Sequence, residues 1–408
     1  MRTIKLIFIF IFLLSGLSFA QHPRDMEFAP LDFNPPEPVR FETDNGIVVY
    51  FLEDHQLPVL TFSAYFQGGT VQDSPDKAGL SDITSTLLRS GGAGKRPPDL
   101  VDSDLDFVGI SLRSNTGDEY FSIDMRLLKK DIETGFEILS DMLLKPAFDS
   151  SKLALELSNQ IDQIKRQNDD ARDIGRRVYY QTVYKNHPYG LYPTLESINS
   201  ITRDDVIDWH KKFYSPDNCI MAISGDKTVD EIKTILNNYF GGWKKTNIKF
   251  EKPAPAQQKY KPGLYYAEKN INQANIRFGF LCMTDKNPDR FAMEVMNFAL
   301  GGGGFSSRLT QKVRTAAGLA YSVGSYFYNR PLTGTLFGYC LTKANQLSQA
   351  LGMMTEIISE VKENGITQEE MELAKESIIN GYVFSYDTPS GLVNAKAMLE
   401  LGGFPPDQ

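Results

Sequence analysis

Two long stretches of this chain repeat one order of secondary-structure signals, and that duplication limits its possible folds more than any composition figure. The first stretch starts with a hairpin pattern: PVRFET and IVVYFLED alternate apolar residues around Asp44-Asn45-Gly46, where the Asn-Gly pair suits a primed turn. LPVLTFSAYFQGG (57–69) reads as a strand. A helix over Lys77–Leu88 puts Leu80, Ile83, Thr84, Leu87 and Leu88 on one face, and a second helix follows Pro97-Pro98. Strands ISLRSNTG and EYFSIDMRL precede helices over Lys130–Leu144 and, with Ser151 as N-cap, Ser151–Asp170. A helix from Thr202, the strand NCIMAISG and the helix VDEIKTILNNYF close the stretch. The second stretch begins with strands GLYYAEK and ANIRFGFLCM. It continues with a helix over Asp289–Leu300, strands AYSVGSYFYN and TGTLFGYCLT, and helices over Asn345–Lys362 and Thr367–Gly381. Leu88 matches Leu300, Ile110 roughly matches Tyr321, and Phe136 matches Ala350, at offsets of about 210–214 residues, the mark of a duplicated domain.

The expected organisation is therefore α+β with two copies of one domain, over 37–243 and 263–408, joined by a charged, Pro-bearing linker at 244–262. The second copy stops before any counterpart of NCIMAISG and looks cut short. Ahead of both lies a polar, Pro-rich arm at 21–36. Residues 1–20 have the layout of a secretory signal peptide: Arg2 and Lys5, the apolar run Leu6–Leu14, and Ser18-Phe19-Ala20 before the cut. That run is too short for a membrane span, and no later stretch supplies one. The protein is thus expected to be exported to the periplasm or the extracellular space. Losing Arg2 and Lys5 takes the basic residues from 43 to 41 against 51 acidic ones, a net charge of −10, which excludes nucleic acid as an expected partner. Cys219, Cys282 and Cys340 allow one disulfide at most and read as buried small side chains.

Three segments carry a specific resemblance: AGLSDITSTLLRSGG (78–92), NHPYGLYPTLESINSITRDDVIDWHKKFYSPDNCIMAISGD (186–226) and GGGGFSSRLTQKVRTAAGLAYSVGSYF (301–327). Together they resemble peptidase family M16, which includes insulinase, pitrilysin and the mitochondrial processing peptidase. The resemblance implies two similar domains, each a mostly antiparallel sheet against helices, closing around a peptide. Active members carry H-x-x-E-H on the first helix, where two imidazoles one turn apart grip zinc and the Glu deprotonates its water. The matching positions here are Asp82, Ser85 and Thr86, and the family's third ligand falls in the region of Asp162 and Gln163. His22, His55, His187 and His210 are the only histidines and contain no H-x-x-x-H pair. His187 reads as a turn residue and His210 as packing or surface. The resemblance therefore implies no catalytic residue and no metal ligand in this chain.

The third segment keeps what the first has lost. Its Arg314 and Tyr321 match the Arg and Tyr by which family members hold substrate from the second domain, and Gly318 is expected to end the helix bearing Arg314. The Gly301–Gly304 run, with Gly302 and Gly303 at its centre, fits either a helix stop or the substrate-touching glycine loop of non-catalytic processing-peptidase subunits. Some exported members of the family divide the work between two chains. The leading expectation is a non-catalytic subunit paired with a zinc-bearing homologue, acting on an extended peptide. A structural scaffold of this fold and a self-sufficient metallopeptidase with unusual ligands are the alternatives.

Overall fold

The structure, a computed structural model, describes residues 33–247 and 251–405. The signal-peptide reading of residues 1–20, His22 and all but residues 33–36 of the arm lie outside them.

The first half forms β1 (Val39–Glu42), β2 (Val48–Glu53), β3 (Val59–Gln67), α1 (Leu80–Ser90), α2 (Pro98–Val108), β4 (Ser111–Thr116), β5 (Tyr120–Leu128), α3 (Ile132–Leu144), α4 (Ser150–Arg166), α5 (Ala171–Val183), α6 (Leu195–Ser200), α7 (Arg203–Phe213), β6 (Cys219–Gly225) and α8 (Val229–Phe240). The second forms β7 (Gln273–Leu281), α9 (Arg290–Asn297), β8 (Ala320–Tyr328), β9 (Thr335–Lys343), α10 (Leu347–Asn364), α11 (Gln368–Val383) and α12 (Pro389–Leu401). A six-stranded sheet runs β1-β2-β6-β3-β5-β4 and a three-stranded sheet runs β7-β9-β8. Only the β2–β6 pairing is parallel among those described. The duplication is visible in the pairing itself. β3 lies antiparallel to β5 with Val59 opposite Leu128, and β7 lies antiparallel to β9 with Gln273 opposite Lys343. The fold class is α+β as the sequence indicates.

Side chains alternate across each sheet with the period of two that strands impose. In the first sheet Val49, Phe51, Phe62, Phe66, Ile123 and Ile223 face one core with α1, α3 and α8. Tyr50, Tyr65 and Ala222 face the other way, onto Val393, Ala397 and Leu401 of α12. In the second sheet Ile276, Val323 and Cys340 pack on Ala350, Met354 and Ile357 of α10. Its other face puts Phe337 against Tyr179 and Val183 of α5. The halves therefore exchange helices: α12 of the second covers the first sheet, and α5 of the first covers the second. The α5–β7 approach is close. A Cβ on Gly175 would meet Asn275 Oδ1 at 2.5 Å and one on Gly279 would meet Tyr179 Oη at 2.5 Å, so neither position has room for a side chain. Arg40 adds a bidentate pair to Glu400 of α12, at 2.6 and 2.9 Å.

Several sequence expectations need correction. GLYYAEK (263–269) forms no strand. Its counterpart β2 pairs only with β1 and β6, and the described part of the second half gives GLYYAEK neither neighbour, so Leu264 is left 87 % exposed. The helix expected over Ser151–Asp170 ends earlier, at Arg166, and a further helix that the sequence reading did not place, α5, starts at Ala171. Asp149, not Ser151, caps α4 through Ser151 and Lys152 N–H, and Asp170 caps α5 through Arg172 N–H. At the first hairpin Gly46 alone takes positive φ, at 87°, while Asn45 does not. Within the linker stretch, Ala256 N–H donates to Leu332 O (2.8 Å), and Ala254 O accepts from His187 Nε2 (3.1 Å). All three cysteines are free thiols.

The helix exchange makes the first half depend on the second. Trp209 and Trp243 are the chain's two tryptophans and both sit in the first core. Placing a charge in α12 by Ala397→Asp, at a position with no exposure, should cost about 3 kcal/mol in urea unfolding followed by tryptophan fluorescence. An unmoved transition would show that α12 does not hold the first sheet.

Candidate functional site

The first group of candidate residues sits on α1. That helix starts at Gly79, whose φ of 100° suits glycine, and its first N–H groups have no intrahelical partner. Buried Asp73 supplies one: its carboxylate accepts from Gly79 N–H (3.0 Å), Ser81 N–H (3.1 Å) and Ser81 Oγ (3.0 Å). Burial pushes Asp73 up to about 7, against those donors. Asp82 and Thr86 lie on the more open side of α1, whereas Ser85 is buried. Burial also raises Asp82. The Thr116 hydroxyl opposes that rise, and the charges of Asp118 and Glu156 add to it. Ser85 Oγ lies 2.6 Å from Ser114 Oγ on β4, the edge strand beside α1. Beneath them Tyr214 stacks on Phe121 and on His210.

Asp162 and Gln163 do not join this group. Both point to solvent, and Asp162 pairs with Lys165 at 3.4 Å. The carboxylate that α4 turns toward α1 is Glu156, whose Oε1 accepts from Gln160 Nε2 (2.9 Å). Among the described residues no three His, Cys, Asp or Glu side chains are placed to hold a metal ion. A zinc site built on imidazoles does not fit this donor set, which here consists of hydroxyls and scattered carboxylates. The three described histidines are engaged elsewhere. His187 Nδ1 accepts from Tyr189 N–H (3.2 Å) inside its turn, and His55 lies between Glu53 and Asp226. His210 lies edge-on to Phe148, with Nε2 3.0 Å from Leu143 O, so that nitrogen carries the proton.

The second group gathers around Arg314. Phe298–Gly302 and Thr310–Ala316 are both π-helical, a rare winding that is frequent at functional sites. Gly318, at φ 63°, ends the second segment by donating to Arg314 O (3.1 Å), and β8 begins two residues later. Arg314 and Tyr321 meet there, the guanidinium carbon 5.7 Å from the ring centroid. Tyr321 is 80 % exposed. The glycine run is packed tightly on its inner side. A Cβ on Gly301 would meet Ser325 N at 2.4 Å, one on Gly302 would meet Asn297 Nδ2 at 2.6 Å, and one on Gly303 would meet the Phe298 ring at 2.6 Å. Gly302 is exposed. No hydrogen bond or ion pair joins the Asp82 group to the Arg314 group among the described residues.

Sequence reasoning missed a third cluster that ties the halves together. Arg330 pairs with Asp118 at the tip of the β4–β5 hairpin (2.8 Å) and lies 4.5 Å from the Tyr189 ring, with Tyr180, Tyr184 and Tyr328 around it. Tyr189 also donates its hydroxyl to Glu119. Nothing in the spacing of these residues announces that they meet. Only the HPYG segment, already singled out, touches the cluster.

Comparison with known proteins gives two family models that match end to end. Residues 48–194 match the model described as "Insulinase (Peptidase family M16)" and residues 200–378 match "Peptidase M16 inactive domain". A Bacillus subtilis relative named "Uncharacterized zinc protease YmxG" is 26 % identical over 368 residues, covering 89 % of this chain and 88 % of the relative. A Helicobacter pylori relative named "Non-peptidase homolog YmxG" is 26 % identical over 353 residues, covering 85 % and 80 %. The crystal structure of a "peptidase M16 inactive domain" from Pseudomonas fluorescens superposes with a TM-score of 0.82 at 22 % identity, covering 91 % of this chain and 89 % of that one.

Two measurements check this geometry. Because Asp82 and Thr86 share the open side of α1, the double variant Asp82→His, Thr86→His should retain zinc through gel filtration where the wild type does not. No gain of metal would mean that these positions do not face one point. His210 is a pH-sensitive element: burial lowers it from its ordinary 6.5 to about 4. Between those values the unfolded chain binds a proton that the folded chain refuses, so stability falls as pH drops through that window. His210→Gln keeps a donor for Leu143 O without that titration. Between pH 7 and pH 5 the wild type should lose about 2 kcal/mol more than the variant in urea unfolding. Equal losses would contradict the assignment.

Proposed function

This chain belongs to peptidase family M16, and from that premise we propose that it is the non-catalytic subunit of an exported two-chain zinc peptidase. The observation that carries the reading is the asymmetry between its halves. The helix that bears the zinc ligands in active relatives carries Asp82, Ser85 and Thr86, without an imidazole. The second half keeps half-buried Arg314 in contact with exposed Tyr321.

The zinc belongs to a homologous partner chain, and this chain holds none. An extended peptide lies between the two chains and adds a strand to a sheet edge, through main-chain hydrogen bonds that ignore sequence. Arg314 donates from its guanidinium, and Tyr321 from its phenol, to a substrate carbonyl whose oxygen gains negative charge as water adds. Two donors fixed before reaction need no rearrangement at that moment. Gly302 and Gly303, without side chains, let the peptide pass close to the loop. A purely structural role has no use for an exposed tyrosine lying on a guanidinium, so the scaffold reading is less well supported. Export fits the N-terminal layout of residues 1–20. Among the described residues no helix is long and apolar enough to cross a membrane.

Affinity purification of the tagged chain from native envelopes should bring down a homologue that carries H-x-x-E-H and one zinc. In the reconstituted pair, Arg314→Ala should lower kcat about 100-fold and Tyr321→Phe about tenfold, both without dissociating the chains. An Arg314→Ala pair with unchanged turnover would reject the assigned role.

A further inference from the structure

We propose that Phe305 is a third substrate-facing side chain, one that holds Arg314 in position and selects peptides with a large apolar residue beside the contacted carbonyl. The inference rests on the reading of Arg314 as a substrate contact and extends it to specificity.

Phe305 is 72 % exposed and belongs to none of the buried clusters. Its exposure is built in by the loop that carries it. Gly304 takes φ 58°, Ser306 Oγ donates to Gly303 O at 2.7 Å, and Ser307 Oγ donates to Gly304 O at 2.7 Å. Buried Ser307 also bonds Thr310 Oγ1 at 3.1 Å, which fastens the loop to the π-helical segment bearing Arg314. Phe305 and Arg314 thus move as one unit.

The guanidinium carbon lies 5.0 Å from the Phe305 ring centroid and 5.7 Å from that of Tyr321. Two aromatic faces on one planar cation restrict its orientation. Among the described residues no carboxylate comes within ion-pair distance of Arg314, so its N–H donors remain available to an incoming acceptor. An acceptor bound there has an exposed apolar ring beside it. A large apolar side chain on the neighbouring substrate residue covers that ring and removes both surfaces from water.

The test uses two fluorescein-labelled decapeptides, one of Ala, Ser and Gly only and one with a central Phe in the same frame, titrated against the full chain by fluorescence anisotropy. The wild type should bind the Phe peptide about tenfold more tightly. Phe305→Ala should reduce that preference to about twofold or less with an unchanged thermal midpoint, Phe305→Trp should keep it, and Arg314→Ala should weaken both peptides. If the wild type binds both peptides equally, or Phe305→Ala retains the preference, the role of Phe305 is overturned and the subunit reading stands. If the wild type binds neither peptide, the substrate-contact reading falls and this inference falls with it.

Discussion

The exchange of helices between the halves is the constraint on which the remaining features depend. Each sheet has two apolar faces, and its own half covers only one of them. Tyr50, Tyr65 and Ala222 are sealed by α12, and Phe337 is sealed by α5. Leaving either face open would put several large side chains into water, at about 25 cal/mol per Å² of apolar surface. Gly175 and Gly279 let α5 settle directly on β7. Arg330 reinforces the join through Asp118 and the surrounding tyrosines. The halves therefore act as one body, which is the condition for residues on both to serve one substrate.

Within that body the two halves have kept different chemistry. On α1 the positions of the active relatives' motif are taken by Asp82, Ser85 and Thr86, and the helix is held by contacts that need no metal. Ser85 meets Ser114 across to β4, Asp82 sits against Thr116, and Asp73 fixes the start of the helix. Such a helix keeps its shape without a metal. The Arg314 region has not been converted in this way. Its guanidinium lacks an acidic partner among the described residues, and its aromatic neighbours remain exposed, an arrangement that gains stability only when something binds. That contrast is the physical basis for placing this chain beside a zinc-bearing partner.

Much of this was legible in the sequence. The periodicities located nearly every strand and most helices, because each buries one regular face, and the constant offset revealed the duplication that the β3-β5-β4 and β7-β9-β8 orders repeat. The lost H-x-x-E-H and the link from Gly318 to Tyr321 were equally plain, being local. What escaped depends on contacts distant in sequence. GLYYAEK has strand composition, but strands form in pairs, and its neighbours are missing from the described fold. The helix α5 is started by Asp170 as its cap, a signal that looks like any polar residue on a helix surface. Phe305 and Arg330 could not be singled out, since composition does not distinguish an aromatic ring in the core from one on the surface.

The central claim, that this polypeptide cannot assemble a hydrolytic metal centre unaided, is open to one direct measurement: bound zinc per chain, together with chelator-sensitive peptide cleavage, in the purified protein free of any homologue. The expected result is well below one zinc per chain and no chelator-sensitive cleavage, with activity appearing only when a zinc-bearing partner is added. Stoichiometric zinc with cleavage by the lone chain would contradict it.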